Sequence, residues 1–129
     1  MLMPPISRFM TRQPWTISSR GSLAQARELM HEHSIRHLPV VDGDKLVGIV
    51  SDRDLHQPWL STNMHVHDVM SDHVYAVRSD AGVDEVAETM SEHKYGAVVV
   101  VTGPGGVIGI FTSVDACRVL AEVLRRAAA

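Results

Sequence analysis

The sequence predicts a mixed α/β fold, two β-α-β-β-α repeats packed sheet to sheet around a pseudo-twofold axis. Three observations predict it. The chain of 129 residues aligns with itself at an offset of sixty. Each copy passes from helical apolar spacing to runs rich in β-branched residues. A glycine-containing turn then separates two such runs in both copies. In the self-alignment Met10 falls on Met70, Ile17 on Val77, Leu23 on Val83, Met30 on Met90 and His33 on His93. Leu38-Pro39-Val40-Val41 falls on Val98-Val99-Val100-Val101. One residue is then inserted in the turn, so that Gly48, Ser51 and Asp54 meet Gly109, Thr112 and Asp115. Turns tolerate such insertions. The expected division is 1–60 for the first repeat with its N-terminal segment and 61–129 for the second with a C-terminal helix.

The elements follow in order. A short extended piece at 16–17 precedes a helix whose Leu23, Ala26, Leu29 and Met30 share one face. Ser22 and Gln25 form a capping-box pattern at its start. A strand at 37–41, a turn and a strand at 46–50 come next, and a helix begins near Asp52. The second copy repeats this with 76–77, a helix carrying Val83, Val86, Ala87 and Met90, and strands at 97–101 and 107–111. The run Ala97 to Val101 is apolar on both faces, the mark of a buried strand. The last helix, 114–127, carries Ala116, Val119, Leu120, Val123 and Leu124 on one face. A unit of about 60 residues buries little surface alone, so the two copies are expected to pack together.

Composition narrows the classes. Apolar residues make up 45% and charged residues 21%, a globular balance. Disorder and collagen-like structure are excluded. No run of about 18 apolar residues predicts a membrane span, and residues 1–5 lack the pattern of a signal peptide. Cys117 is the sole cysteine, which fits a reducing cytoplasm. The formal charge of −3 does not support a nucleic-acid partner.

The recurring Gly-x-x-[Ser/Thr]-x-x-Asp is the most informative motif. It reads Gly48-Ile49-Val50-Ser51-Asp52-Arg53-Asp54 and Gly109-Ile110-Phe111-Thr112-Ser113-Val114-Asp115. A hydroxyl falls at a strand end just before a helix, where unsatisfied N–H groups favour a phosphate. Three residues on, a carboxylate is placed to accept hydrogen bonds from a ribose diol. The same residues equally suit helix capping, with Ser51 and Thr112 as N-caps and the aspartates facing the helix dipole. Both readings stand on sequence alone.

These motifs, with Met10-Thr11, Met70-Ser71 and the run His33-Ser34-Ile35-Arg36-His37-Leu38-Pro39-Val40-Val41-Asp42, resemble a pair of CBS domains, the cystathionine-beta-synthase repeat, in the tandem called a Bateman module. The resemblance spans residues 6 to about 120. It implies two clefts between the domains that bind adenosine-containing ligands, the motif aspartate holding ribose and the motif hydroxyl contacting ribose or phosphate. One cleft would use Ser51 and Asp54 with Val77, Tyr95 and Gly96. The other would use Thr112 and Asp115 with Ile17, Ile35 and Arg36. The clefts are expected to differ. Copy one has Arg36, His37 and Arg53 where copy two has Gly96, Ala97 and Val114. The Asp54 cleft is therefore expected to take the charged phosphates.

Other constellations carry less. His31 and His33 face different directions on a helix. His65 and His67 could share a strand face, but no cysteine or carboxylate cluster completes a metal site, His67-Asp68 reads as a neighbour pair, and no metal is expected. Met10, Met30, Met70 and Met90 read as core. Gly103-Pro104-Gly105-Gly106 lacks the Gly-Lys-[Ser/Thr] of a phosphate loop. No catalytic arrangement can be argued from spacing. The expected protein is a cytoplasmic regulatory module without catalytic activity. It would bind AMP, ADP or ATP, with NAD or S-adenosylmethionine also open. It would form a homodimer, as tandem pairs in the family do through such helices, and signal to an effector protein in trans. The alternative is a dimerisation module with degenerate clefts.

Overall fold

The computed structural model describes residues 2–129. Among them it places β1 (Thr11–Arg12), β2 (Ile17–Ser18), α1 (Leu23–His33), β3 (His37–Asp42), β4 (Lys45–Ser51), α2 (Val66–Val69), β5 (Ala76–Arg78), α3 (Val83–His93), β6 (Ala97–Thr102), β7 (Gly106–Thr112) and α4 (Ser113–Ala128). The strands form two sheets, ordered β2-β3-β4 and β1-β7-β6-β5. The mixed α/β class read from the sequence is the class observed. The chain divides into two compact units, one for each sheet.

The first unit holds Pro14–Val74 with Gly103–Val107. Helix α1 starts where expected: Ser22 Oγ accepts from Gln25 N at 3.0 Å, and Gln25 Oε1 accepts from Ser22 N at 2.9 Å. It ends at Ser34, whose left-handed φ of 52° stops the helix. Between these caps it buries Leu23, Ala26 and Met30 against Leu38, Val40 and Val50 of β3 and β4. Strand β2 adds to β3 in parallel, and β4 pairs with β3 antiparallel. The helix expected near Asp52 is only a short 3-10 turn, Arg53–His56. Pro58 explains the difference. The residue before a proline is pushed out of helical geometry, and Gln57 is extended at φ −74°, ψ 141°.

The second unit holds the segment through Gln13, Tyr75–Thr102 and Ile108–Ala129. Here α3 buries Val86 and Met90 against Val98, Val100 and Phe111. Each such side chain contributes roughly 1.5–3 kcal/mol on burial. Lys94, at φ 58°, closes α3 as Ser34 closes α1. Of the apolar face expected on α4, Ala116 and Val119 pack on this core. Leu120, Val123 and Leu124 remain 55–58% exposed.

The division at residue 60 does not follow these units. The segment through Gln13, assigned by sequence to the first repeat, packs with the second: Ile6 N donates to the Ala81 carbonyl at 2.7 Å, and Thr11 pairs with Ile110. The equivalent segment, 65–71, packs in the first unit. Val66 N donates to the Gly21 carbonyl, and Ile49 and Ser71 exchange two hydrogen bonds, all at 2.9 Å. Each leading segment thus serves the other repeat's sheet. The self-alignment fixes which residues are equivalent and says nothing about which copy an arm joins.

Candidate functional site

Each motif begins on the last strand of its repeat and ends in the first turn after it. Ser51 is the last residue of β4 and Thr112 the last of β7. The ladder stops there, so the following N–H groups need partners. Ser51 N donates to Asp54 Oδ2 at 2.8 Å, and Asp54 N donates to Ser51 Oγ at 3.2 Å. The second motif repeats this at 2.9 and 3.4 Å, and the Thr112 hydroxyl also donates to Asp115 Oδ2 at 3.2 Å. The reciprocal bonds of the capping reading form in both copies, but only Thr112 caps an α-helix; Ser51 stands before the short 3-10 turn. These bonds leave the ligand reading open, since a carboxylate has about four acceptor sites.

The motif glycines have a separate cause. A Cβ on Gly48 would lie 2.5 Å from Met70 Sδ and 2.8 Å from the Ser71 carbonyl oxygen. One on Gly109 would collide with the Met10 sulfur. The glycines admit the leading segments rather than a phosphate.

The candidates divide by unit. In the first unit Arg36, His37, Ser51, Arg53 and Asp54 come together at one end of the sheet. His37 is the register partner of Ser51, and the Arg36 carbonyl accepts from Asp52 N at 2.8 Å. Arg36 and Arg53 are exposed and Asp54 is half-buried. Burial lowers the His37 pKa from its ordinary 6.5; the Asp54 carboxylate opposes that, Arg36 reinforces it and Asp52 opposes it. Ile35 packs on the core of this unit, and Ile17 is buried in it, so little of the Ile17 side chain is presented outward. Ile17 borders a groove of about 470 Å³ with Leu29, Glu28 and Glu32, whose two carboxylates disfavour an anion.

In the second unit the Gly96 carbonyl accepts from Ser113 N at 3.0 Å, bringing Gly96 beside Thr112 and Asp115. Val77 pairs with Val100 on the neighbouring strand. The Tyr95 ring lies 5.4 Å from that of Tyr75 and 5.2 Å from that of His93. The second motif is not as neutral as its sequence suggests. Arg118 NH1 lies 3.1 Å from Asp115 Oδ1, and the Asp115 side chain is only 5% exposed. Both oxygens of Asp115 thus have partners within its own unit. Arg118 was missed because its register equivalent is Gln57; the spacing of three from Asp115 on a helix was the available signal.

A CBS domain model matches residues 6–57 and 66–122, and the chain belongs to the CBS domain family. A structure from Vibrio cholerae described as an acetoin utilization protein, AcuB, is 34% identical, with a TM-score of 0.91 over 100% of both chains. The CBS domain pair of protein MJ0100, in complex with 5′-methylthioadenosine and S-adenosyl-L-methionine, is 30% identical with a TM-score of 0.87, covering 94% of this chain and 98% of that one. CBSX2 in complex with AMP is 29% identical with a TM-score of 0.81, covering 93% and 98%. An L-aspartate semialdehyde sulfurtransferase of Methanocaldococcus jannaschii is 32% identical over 88% of this chain. The chain spans 22% of that relative's length.

Proposed function

We propose that this chain is a regulatory module that senses an adenosine-containing nucleotide of the AMP, ADP or ATP class. The nucleotide binds at the Ser51–Asp54 motif, with the Asp54 carboxylate on the ribose diol. Arg53 and His37 face the phosphates, and so does Arg36, which the resemblance grouped with Thr112 and Asp115 but whose carbonyl is bonded to Asp52 N of the first motif. The observation that carries this reading is the contrast between the two motifs. Asp54 is half-buried, with Asp115 nearly fully buried and both its oxygens paired. The Thr112–Asp115 motif accordingly takes a less charged adenosyl ligand or none. The CBSX2 complex with AMP supports a nucleotide, and the MJ0100 complex, whose ligands carry no phosphate, supports an adenosine-containing ligand more broadly.

The module acts without a catalytic step. Ligand shifts its conformational balance only as far as it prefers one arrangement over another. A homodimer and an effector protein in trans, in the cytoplasm, complete the proposal. Among the described residues no helix is long and apolar enough to cross a membrane.

A second reading is a dimerisation module whose motifs serve only as caps. The exposed Leu120, Val123 and Leu124 on α4 favour it. Thermal shift against AMP, ADP, ATP, NAD and S-adenosylmethionine separates the two. A ligand at 100 times its Kd adds about 2.7 kcal/mol of stability, a rise of several degrees for a chain of this size. A flat response across all five overturns the sensing module.

A further inference from the structure

Away from both motifs, the described residues contain one cluster of three side chains with metal-ligating atoms close together. It is His65, His67 and Asp68, whose donor atoms lie within 4.8 Å of one another. By sequence alone Asp68 is a mere neighbour of His67; the short helix α2 brings its carboxylate to the His65–His67 pair. All three side chains are exposed.

The backbone under the cluster is fixed. Val66 between the two histidines is fully buried, so it anchors the segment while both imidazoles emerge on the solvent side. Val66 N and His67 N donate to the Gly21 and Ser19 carbonyls, each at 2.9 Å. The imidazole rings are nearly parallel, 8° apart, with centroids separated by 5.6 Å. Asp68 Oδ2 accepts from His65 N at 2.8 Å, which turns Oδ1 to within 3.3 Å of His67 Nδ1.

The fold does not require the two imidazoles. The equivalent segment in the other repeat is Pro5-Ile6-Ser7-Arg8. It makes the same two backbone bonds, Ile6 N to the Ala81 carbonyl and Ser7 N to the Ser79 carbonyl, at 2.7 and 3.1 Å. The two imidazoles are therefore surplus to the local structure in one copy alone, and Asp68, which caps α2 through Oδ2, has Oδ1 to offer.

We infer that His65, His67 and Asp68 form a surface site for a divalent ion of the zinc class. Two nitrogen donors and one carboxylate oxygen suit zinc and its neighbours better than calcium or magnesium. Bonds of about 2.0–2.2 Å draw the donors inward from their present spacing, which rotation of the exposed side chains supplies. Water fills the remaining positions.

The test is calorimetric titration of the tag-free full chain with Zn²⁺, followed by Co²⁺ absorption to report tetrahedral nitrogen and oxygen coordination. The wild type is expected to bind one equivalent. His65→Ala and His67→Ala should each weaken binding about tenfold or more, as losses even from outer shells commonly do. The double variant should abolish it and the cobalt spectrum. Asp68→Asn keeps a capping side chain and should also weaken binding. His31→Ala should leave it unchanged. Circular dichroism confirms that each variant is folded. No stoichiometric binding by the wild type, or unchanged affinity in the double variant, overturns the site.

Discussion

The Met70 sulfur lies where a side chain on Gly48 would stand. Met10 and Gly109 repeat the relationship in the other unit. Gly48→Ala should therefore cost about 1–3 kcal/mol, the usual penalty of overpacking a tight contact. Urea denaturation measures it. Replacing Met70 with a smaller residue in the same variant should recover part of the loss, because the backbone oxygen of Ser71 remains in the way.

Thr112 and Asp115 hold the start of α4 through reciprocal bonds. Thr112→Val removes the hydroxyl acceptor while keeping the shape, and should lower stability by about 1 kcal/mol. Thermal melting should register it. Arg118→Ala leaves the Asp115 Oδ1 atom without its ion pair and should cost less than 1 kcal/mol, since the guanidinium is largely exposed.

His37 sets a pH dependence. Its folded pKa is lowered below 6.5, so the unfolded chain binds the proton more readily. Its contribution to stability is full above pH 6.5. It falls as the pH drops through 6.5 towards the lowered folded value, then levels off. Denaturation midpoints measured between pH 5 and 7.5 should decline on acidification. In His37→Gln that part of the decline should disappear.

The repeat made the strands and first helices legible. Val98, Val99 and Val100 are fully buried where an unbroken apolar run stands, and the Ser22–Gln25 cap forms as its spacing requires. Two things were hidden. Helical length after Ser51 depended on Pro58, a single residue outside the repeated pattern. The assignment of each leading segment to the other unit depended on the gap at Gly48 and Gly109, which becomes visible only when Met70 and Met10 are seen filling it. At the motifs, residue types were legible and their partners were not. Asp115 reads like Asp54 until Arg118 is found beside it. Asp68 reads as a neighbour of His67 until the turn of α2 brings its carboxylate against both histidines.

Titration of ATP against wild type, Asp54→Ala and Asp115→Ala bears most directly on the central claim. We propose the Asp54 motif, flanked by Arg36, His37 and Arg53, as the phosphate-bearing site. Asp54→Ala should weaken binding at least tenfold, about 1.4 kcal/mol. Arg36→Ala, which leaves the cap intact, should weaken ATP more than adenosine. Asp115→Ala should stay close to wild type. Loss of ATP binding in Asp115→Ala with retention in Asp54→Ala would contradict the assignment.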